Sequence, residues 1–445
     1  MKKNAVFFLA IVLSVTLLLT ACSGGSKTND NEGGEKGGNT KETVKTGDSN
    51  ETSEITMWIH PYLGADRATE NEQMFKDFGD QFTNETGVKA NIQLIPWANR
   101  DQRMLMAFSA GKGPDIVYLV IDHLAQFGTM GVLEPLDSFI PEDVKKDYNE
   151  SSLQSTTLDG KIYAIPMLQT VNPFIYNLDL LEQVGWDTNK LPETWEDLEN
   201  LFEKVKAAGK IGFLYFGGEN ANLSFYTWMW QAGGNVLDDN GNVVINSPET
   251  QKALNKIAEW YKKGYMAKDS VTLVGGNQID PIWESGDCAL MVGGSMDYIT
   301  GAKKTKFKID VGMPTKDKEQ AIFGTVGGWS VATTSKNKDA AVKLILKVTE
   351  KENMKLFLEK SGFLPPKKSL TNMFDNEPLL SKLVQNTVYV KPGIRHPAGR
   401  TITTAIMPPV WQSVMLGEDT VEGALNKVVE PINKAVADSM SIKTE

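Results

Sequence analysis

The period of the apolar residues constrains this chain most, because from residue 55 onward it alternates between strand and helix patterns. Residues 55–59 form a short β-rich run, and residues 74–82 carry apolar side chains at helical spacing. Residues 89–95 and 115–121 are strand-like again, with a helical stretch between them. Strands that alternate with helices of about 10–15 residues indicate parallel βαβ units. The sequence therefore predicts an α/β fold.

The N-terminus has the form of a secretory signal over residues 1–21. Lys2 and Lys3 precede an apolar run at 5–19, which is shorter than the roughly 20 residues that span a bilayer as a helix. The run ends in LTAC at 19–22, which resembles the lipobox of bacterial lipoproteins. Cleavage there would leave Cys22 as a lipidated first residue. The alternative is an ordinary signal peptide with a cysteine nearby by chance.

Residues 22–53 are predicted to form a disordered tether behind that cysteine. The segment consists almost entirely of Gly, Ser, Thr, Asn, Lys, Glu and Asp. Such a composition buries too little apolar surface to offset the entropy lost on ordering. A folded domain would then be held just above a membrane surface.

The charge of the chain argues against nucleic acid as a partner. Lys and Arg number 46 against 56 Asp and Glu, so the formal net charge is -10. Binding to phosphate backbones needs a positive surface, and no basic block stands out. The second cysteine, Cys288, lies in an apolar strand-like run and is expected in the core.

Several short segments, in this order along the chain, carry a family resemblance. They are AGKGPDIV (110–117), GVLEPLD (131–137), LDGKIYAIP (158–166), IYN (175–177), PETWEDL (192–198), WESGDCALM (283–291), VGMP (311–314) and GGWSVA (327–332). Together with the strand that contains Trp58, they make the chain resemble an extracellular solute-binding protein of an ABC importer, in the carbohydrate-binding, maltose-binding-protein-like class. Most of these residues serve the scaffold, since Pro114 starts a strand and Thr194 with Asp197 suits a capping box.

The resemblance implies a two-lobed periplasmic-binding-protein-like fold, with hinge crossovers and a ligand cleft between the lobes. Crossovers are expected near residues 166–170, 312–315 and 334–339. The expected lobes are 54–167 plus 313–336 for lobe 1, and 168–312 plus 337–440 for lobe 2.

A sugar offers hydroxyl groups and an apolar ring face, so its site needs planar polar side chains and aromatic platforms. The chain has 10 Trp, 11 Tyr and 18 Phe. Positions on loops at strand ends and near the hinge give the following expected contacts: His60, Tyr62, Trp97, Asp122, Gln169, Tyr226, Trp228, Met296, Trp329 and Arg395. Trp228 and Trp230 would point about 200° apart on a helix, so only one of them is expected to reach the cleft.

Five further tryptophans are expected in the core or in helix packing: Trp58, Trp186, Trp195, Trp260 and Trp283. The acidic run at 238–242 and Glu249 have the spacing of a calcium-binding loop. However, Val243 occupies the sixth position of that loop, where a glycine is needed for the sharp turn. A hairpin turn is the preferred interpretation there.

No residue is predicted to be catalytic or a metal ligand, and no cofactor is expected. The three histidines lack metal-ligand spacing, and neither a nucleophile elbow nor a nucleotide loop is present. The resemblance implies a monomeric receptor outside the cell, anchored through Cys22, that hands a sugar to an ABC permease. The alternatives are the same fold with a glycerophosphodiester, polyamine or peptide ligand, or a surface enzyme that acts on glycans.

Overall fold

The structure, a computed structural model, describes residues 54–218, 221–274, 278–293 and 296–441. The predicted signal, lipidated Cys22 and tether lie outside the described residues. Within them the chain folds into two large β-sheets covered by helices, and the short strands Thr157–Leu158 and Lys161–Ile162 form a separate two-stranded antiparallel sheet.

The strands are β1 (Glu54–Ile59), β2 (Lys89–Leu94), β3 (Ile116–Val120), β4 (Thr157–Leu158), β5 (Lys161–Ile162), β6 (Ile165–Val171), β7 (Phe174–Asn177), β8 (Ile211–Leu214), β9 (Cys288–Val292), β10 (Ile309–Gly312), β11 (Ile322–Val331) and β12 (Val390–Lys391). The helices are α1 (Ala68–Thr86), α2 (Arg100–Ser109), α3 (Ile121–Thr129), α4 (Glu142–Asp147), α5 (Glu150–Ser155), α6 (Leu178–Gln183), α7 (Trp195–Ala207), α8 (Ala221–Ser224), α9 (Tyr226–Gln231), α10 (Pro248–Lys262), α11 (Asp280–Glu284), α12 (Met296–Thr300), α13 (Lys338–Val348), α14 (Lys351–Ser361), α15 (Pro378–Gln385), α16 (Gly399–Thr401), α17 (Pro408–Met415) and α18 (Val421–Ser441).

The first sheet has the strand order β12-β11-β3-β1-β2, and β6 pairs with β11 as well. Strand β1 is parallel to both β2 and β3, whereas β11 is antiparallel to β3 and β6. The carboxyl ends of β1, β2 and β3 therefore meet at one edge, which is where open α/β sheets bind ligands.

The second sheet has the order β10-β7-β9-β8. Strand β7 is antiparallel to β9 and β10, and β8 is parallel to β9. The predicted α/β class is confirmed, and all strands of the second sheet lie in sequence between β6 and β11 of the first.

Local sequence signals set the element boundaries. Gly87 ends α1 in the left-handed region at φ 74°, which glycine adopts without strain, and its N–H bonds the carbonyl of Thr83. Thr194 and Asp197 form the predicted capping box at the start of α7.

Of the three expected crossovers, only the second, near 312–315, coincides with a passage between the sheets. Strand β6 stays in the first sheet through Val171, so the step to β7 consists of Asn172 and Pro173 rather than 166–170. The second passage runs over 313–321, from the end of β10 to the start of β11. The buried Gln231 side chain holds it, because its Oε1 accepts from Thr315 (3.2 Å) and its Nε2 donates to Ala321 (2.9 Å).

The third passage also lies later than 334–339. Helix α13 packs on α1 and β11 of the first sheet, although residues after 336 were expected with the second lobe. Lys368 and Ser369 still bond the α4 region of the first lobe, and α15 then packs on β10 of the second sheet. The third passage is therefore 371–377, and β12 afterwards returns to the edge of the first sheet.

Several core predictions are confirmed. Trp58, Trp195, Trp260 and Trp283 are buried, while Trp186 is half-buried. Cys288 is a buried free thiol on β9, and burial raises its pKa to about 12. The acidic run forms the preferred hairpin, in which Leu237 pairs with Val243.

Candidate functional site

A cavity of about 560 Å³ lies between the two sheets and is lined from both. Its lining comprises Pro61, Tyr62, Leu63, Gly64, Trp97, Arg100, Tyr118, Val120, Ile121, Asp122, Gln169, Thr170, Val171, Asn172, Pro173, Asn222, Leu223, Gly293, Met296, Asp297, Phe323, Thr325, Ser361, Gly362, Phe363, Leu364, Leu383, Gly393 and Arg400. We call this space the inter-sheet cavity. Its size falls within the range of roughly 300–1,000 Å³ that is typical of small-molecule sites.

The fold explains why these residues meet. The loops after β1 and β2 and the end of β3 supply one wall, because the three parallel strands end at the same edge. The segments after β9 and around α8 supply the opposite wall, and the chain from β6 to β7 forms the floor. Asn99, just before α2, adopts the left-handed region at φ 58°, so the chain turns sharply there and Arg100 lines the cavity.

Five of the residues expected to contact a sugar line the inter-sheet cavity. They are Tyr62, Trp97, Asp122, Gln169 and Met296. Trp97 is 42% exposed, whereas Tyr62 and Asp122 are buried. Which of them contacts a ligand stays a prediction.

Two expected contacts of the first lobe lie in the core instead. Trp329 is fully buried, because β11 continues through Gly327 and Gly328, with only a register shift against β6, and no turn presents the indole to the cavity. His60 is buried beneath Trp97, with its Nδ1 bonded to the carbonyl of Ile95 at 2.8 Å. Burial and the nearby Arg100 lower the pKa of His60 to about 3, so this imidazole is neutral at pH 7.

Three expected contacts of the second lobe also lie away from the lining. Trp228 packs among Phe174, Trp195, Phe213 and Trp260, because α9 is buried on all sides. Tyr226 on the same helix is buried, and its hydroxyl lies 3.3 Å from Thr403 Oγ1. Arg395 lines a separate cavity beside the hairpin at 237–243.

Trp97 is already covered in part by other side chains. The His60 ring stacks on it with centroids 4.4 Å apart, and the Arg100 guanidinium carbon lies 4.8 Å from the indole centroid. Both contacts use the π-faces of the ring, which are the surfaces that a sugar would need.

A charged cluster lies at one side of the cavity, where α16 packs against α3 and runs on into residues 402–406, which pack on α8 and α17. Arg400, on α16, donates from Nε to Asp101 at 2.5 Å, and its Nη1 lies 3.5 Å from Asp122. Asp101 also accepts from Arg100 Nε at 3.1 Å and from His123 Nε2 at 2.9 Å. We call Arg400 with Asp101 and Asp122 the Arg400 bridge.

The protonation states in this cluster follow from burial and charge. Burial alone would raise the pKa of Asp101, but the hydrogen bond from His123 and the two guanidinium charges outweigh it, so the pKa lies well below its ordinary value. Burial lowers the pKa of His123, as does the charge of Arg100, so His123 is neutral at pH 7 and acts on Asp101 as a hydrogen-bond donor.

A second charged contact crosses the other side of the cavity. Arg67 Nη1 lies 3.7 Å from Asp297 Oδ1, on the segment after β9. Arg67 makes its hydrogen bonds elsewhere, from Nε to Glu70 at 2.9 Å and from Nη1 to the carbonyl of Lys360 at 3.1 Å. We call this contact the Arg67 bridge.

Three buried polar atoms on the cavity lining have no hydrogen-bond partner within the described ranges. They are Tyr62 Oη, Asn172 Nδ2 and Asn222 Oδ1. An unsatisfied buried polar group costs about 1–3 kcal/mol. Two donors and one acceptor, from three sides of one cavity, fit a ligand that carries neutral hydroxyl groups.

The sequence analysis missed several lining residues, namely Arg100, Asn172, Asn222, Phe323, Phe363 and Arg400. One of them had a usable signal: Asn172 precedes Pro173 directly after a strand, a pair typical of a chain turn. Phe323 and Phe363 carry no local signal, because each is half-buried for reasons of tertiary packing.

Among the described residues, no group of three or more His, Cys, Asp or Glu side chains is placed to bind a metal ion. No helix in those same ranges combines the length and apolarity that crossing a membrane requires.

Two α/β lobes that are joined by crossovers and enclose a lined cavity define the class of two-lobed periplasmic binding proteins. The chain belongs to the bacterial extracellular solute-binding protein family, whose model matches residues 67–355.

Relatives and solved structures agree with this assignment. A galactooligosaccharide-binding protein of Bacillus subtilis is 24% identical over 378 residues, which cover 83% of this chain and 82% of the relative. An sn-glycerol-3-phosphate-binding periplasmic protein of Escherichia coli is 25% identical over 367 residues, covering 74% and 81%. The fold matches an ABC substrate-binding protein from Listeria monocytogenes, in complex with cycloalternan, with a TM-score of 0.74 at 21% identity; the match covers 87% of this chain and 100% of that one.

Proposed function

We propose that this protein captures an oligosaccharide in the inter-sheet cavity and delivers it to an ABC permease. In this proposal Cys22 carries a lipid that anchors the protein to the outer face of the cell membrane, and the residues up to 53 tether the folded part. The relatives named for oligosaccharides support the ligand class.

The observation that carries this proposal is the set of unsatisfied atoms on Tyr62, Asn172 and Asn222. Each is buried and lines the cavity, and each belongs to a neutral side chain. A sugar hydroxyl both donates and accepts, so one ligand type satisfies the hydroxyl, the amide nitrogen and the amide oxygen. A purely apolar ligand would leave all three unpaired.

The positions of these residues also suggest how ligand binding closes the cleft. Tyr62 belongs to the first lobe, Asn172 to the first crossover, and Asn222 to α8, which neighbours the second lobe. A ligand that bonds all three gains contacts only when the lobes are close together. It therefore stabilises the closed state by its differential affinity, and the permease would recognise that state.

The test is calorimetric titration of the full chain carrying Cys22→Ser, which cannot be acylated. The titrants are neutral oligosaccharides, sn-glycerol 3-phosphate, a polyamine and a short peptide. Binding of an oligosaccharide alone supports the proposal, and binding of none of the saccharides contradicts it.

Removing the Tyr62 hydroxyl provides the sharpest single-atom test. We expect Tyr62→Phe to lower oligosaccharide affinity about fivefold to tenfold, because one buried hydrogen bond contributes about 1 kcal/mol. Tyr176→Phe is the matched control, since Tyr176 is also buried with an unsatisfied hydroxyl but lies outside the cavity. Equal losses in both variants, or none in Tyr62→Phe, would remove Tyr62 from the site.

A phosphorylated ligand is the second candidate, and one observation favours it. Among the described residues, the two terminal nitrogens of Arg100 have no hydrogen-bond partner, and a guanidinium fork suits a phosphate. This alternative would be established if sn-glycerol 3-phosphate binds the wild type but not Arg100→Met, and if neutral sugars do not bind.

A glycan-acting enzyme would need two carboxyl groups that flank the scissile bond, one of them protonated so that it acts as a general acid. Asp122 and Asp297 line the cavity, but each lies within 4 Å of an arginine, at 3.5 Å from Arg400 and 3.7 Å from Arg67. Incubating the protein with the bound saccharide and assaying for shorter products separates the enzyme from the receptor.

A further inference from the structure

Two half-buried phenylalanines, Phe323 and Phe363, line the floor of the inter-sheet cavity. Phe323 is the second residue of β11, and Phe363 follows the end of α14. Within the described part of the chain, Phe323 has no aromatic neighbour and Phe363 has only Phe357, at 6.1 Å between centroids. Both pack against the hydrophobic core on one side, and because each is half-buried and lines the cavity, the remaining apolar surface is available on the cavity side.

The pairing around β6 fixes where the two rings stand. Gln169 and Leu364 exchange both backbone hydrogen bonds at 2.9 Å, so continuing this antiparallel pairing by one residue sets Phe363 opposite Thr170. On the other side of β6, the N–H of Asn172 bonds the carbonyl of Phe323 at 2.8 Å. Phe363 and Phe323 thus flank the same strand.

Both rings face the same way. Residues that lie opposite each other in antiparallel strands share a face, and residues two apart along a strand share a face as well. Thr170 and Asn172 are two apart, so their partners Phe363 and Phe323 project from one side of the sheet. That side is the cavity floor, because both line the cavity.

The same pairing sets the distance between them. Two strand spacings of about 4.8 Å and two residue rises of about 3.3 Å separate their Cα atoms by about 12 Å. Side chains stand roughly perpendicular to a sheet, so the rings keep a similar separation. A single sugar ring is too small to stack flat on both.

Trp97 is a poorer platform than either phenylalanine. Its indole already carries the stacked His60 ring and the Arg100 guanidinium, at 4.4 Å and 4.8 Å. The exposed part of the indole can contact a ligand, but its π-faces, which a sugar would stack on, are partly covered by His60 and Arg100.

We infer that Phe323 and Phe363 are two separate stacking platforms and that the ligand is a saccharide of at least two sugar residues, one on each ring. This inference rests on the proposed function, and it assigns the length of the ligand and the residues that select it. Because both platforms are tied to β6, their spacing does not depend on closure of the lobes.

The test titrates monosaccharides and their matching di- and trisaccharides into the wild type, Phe323→Ala and Phe363→Ala. Suitable series are glucose with maltose and maltotriose, and galactose with galactobiose and galactotriose. We expect each substitution to lower di- and trisaccharide affinity about fivefold, from the apolar area that stacking removes from water. Monosaccharide affinity should fall in one variant at most.

Two further variants control for general damage. Phe139→Ala makes the same truncation at a half-buried phenylalanine outside the cavity, and it should leave affinity unchanged. Phe323→Tyr retains the ring and should bind as the wild type does. Thermal unfolding of each variant checks that it is folded.

The outcomes separate this inference from the function on which it rests. If no saccharide binds the wild type, the proposed function fails. The inference alone is overturned if a monosaccharide binds as tightly as its disaccharide, or if both substitutions weaken a monosaccharide. It is also overturned if both substitutions leave disaccharide binding intact while Trp97→Ala weakens it.

Discussion

The two charged bridges that face each other across the cavity use arginine differently. In the Arg400 bridge, the arginine donates its hydrogen bond across the cleft, to Asp101 at 2.5 Å. In the Arg67 bridge, the hydrogen bonds go to Glu70 and to the carbonyl of Lys360, and Asp297 is reached only at 3.7 Å. The two side chains have similar exposed fractions, 19% and 23%, so solvent exposure alone does not distinguish them. The hydrogen-bond geometry distinguishes the two bridges, and it predicts that only the Arg400 bridge holds the lobes together.

Arg400→Met should have the largest effect. It leaves the buried Asp122 without its arginine and removes the donor that crosses to Asp101. Truncating one partner of a buried charge pair typically costs 2–5 kcal/mol, and at the lower end ligand affinity falls about 30-fold, mainly through faster dissociation. Stopped-flow release of a bound oligosaccharide measures this rate.

The matched control is Arg103→Met, which removes a guanidinium from α2 that stacks on Trp58 instead of crossing the cleft. Its release rate should equal that of the wild type. Unchanged release in Arg400→Met would show that the bridge does not hold the closed state.

A smaller effect is expected when Asp101 loses its charge through acid or through Asp101→Asn. The folded-state pKa of Asp101 is depressed, so its contribution to stability is present above the unfolded pKa near 4 and is lost as the pH falls below that value. About 35% of the side chain is exposed, so solvent screens the interaction, and we expect about 1 kcal/mol.

Urea unfolding of both proteins between pH 7 and pH 3 measures this difference. The free energy of unfolding of the wild type should fall more steeply with acid than that of Asp101→Asn. Parallel curves would mean that Asp101 contributes no pH-dependent stability.

Arg67→Gln should have the smallest effect. Its link to Asp297 is a charge contact without hydrogen-bond geometry, and such pairs contribute about 0–1 kcal/mol. We expect less than a threefold loss of affinity in titrations at low salt, vanishing at high salt where charges are screened. A loss as large as that of Arg400→Met would make the two bridges equivalent.

Local signals were sufficient to predict the α/β class, whereas the two-lobed arrangement was expected only from the resemblance to solute-binding proteins. The alternating periods, the helix stop at Gly87 and the capping box at Thr194 all act over a few residues, and the structure retains them. The crossovers were less accurate, because a strand such as β6 ends where its pairing with β11 stops. That end is set by a segment more than 150 residues away in sequence.

The site was predicted only in part, for the same reason. Gly327 and Gly328 suggested a turn that would expose Trp329, but they lie within β11, where the Tyr118 ring and the Ile165 backbone leave no room for a Cβ. The glycines thus serve close packing. Arg395 was chosen for its loop, yet Arg400, five residues later, lines the cavity.

The first crossover has a kinetic consequence. Asn172 lies in the two-residue step between the sheets, and Phe323 and Phe363 flank the strand that leads into it, so we expect these three to move little relative to one another during the proposed closure. We therefore expect them to be available to a ligand that arrives at an open cleft, and Arg400 and Asn222 to contact it only after closure. We expect the residues of the cavity floor to determine the association rate of the sugar, and Arg400 and Asn222 to determine its dissociation rate.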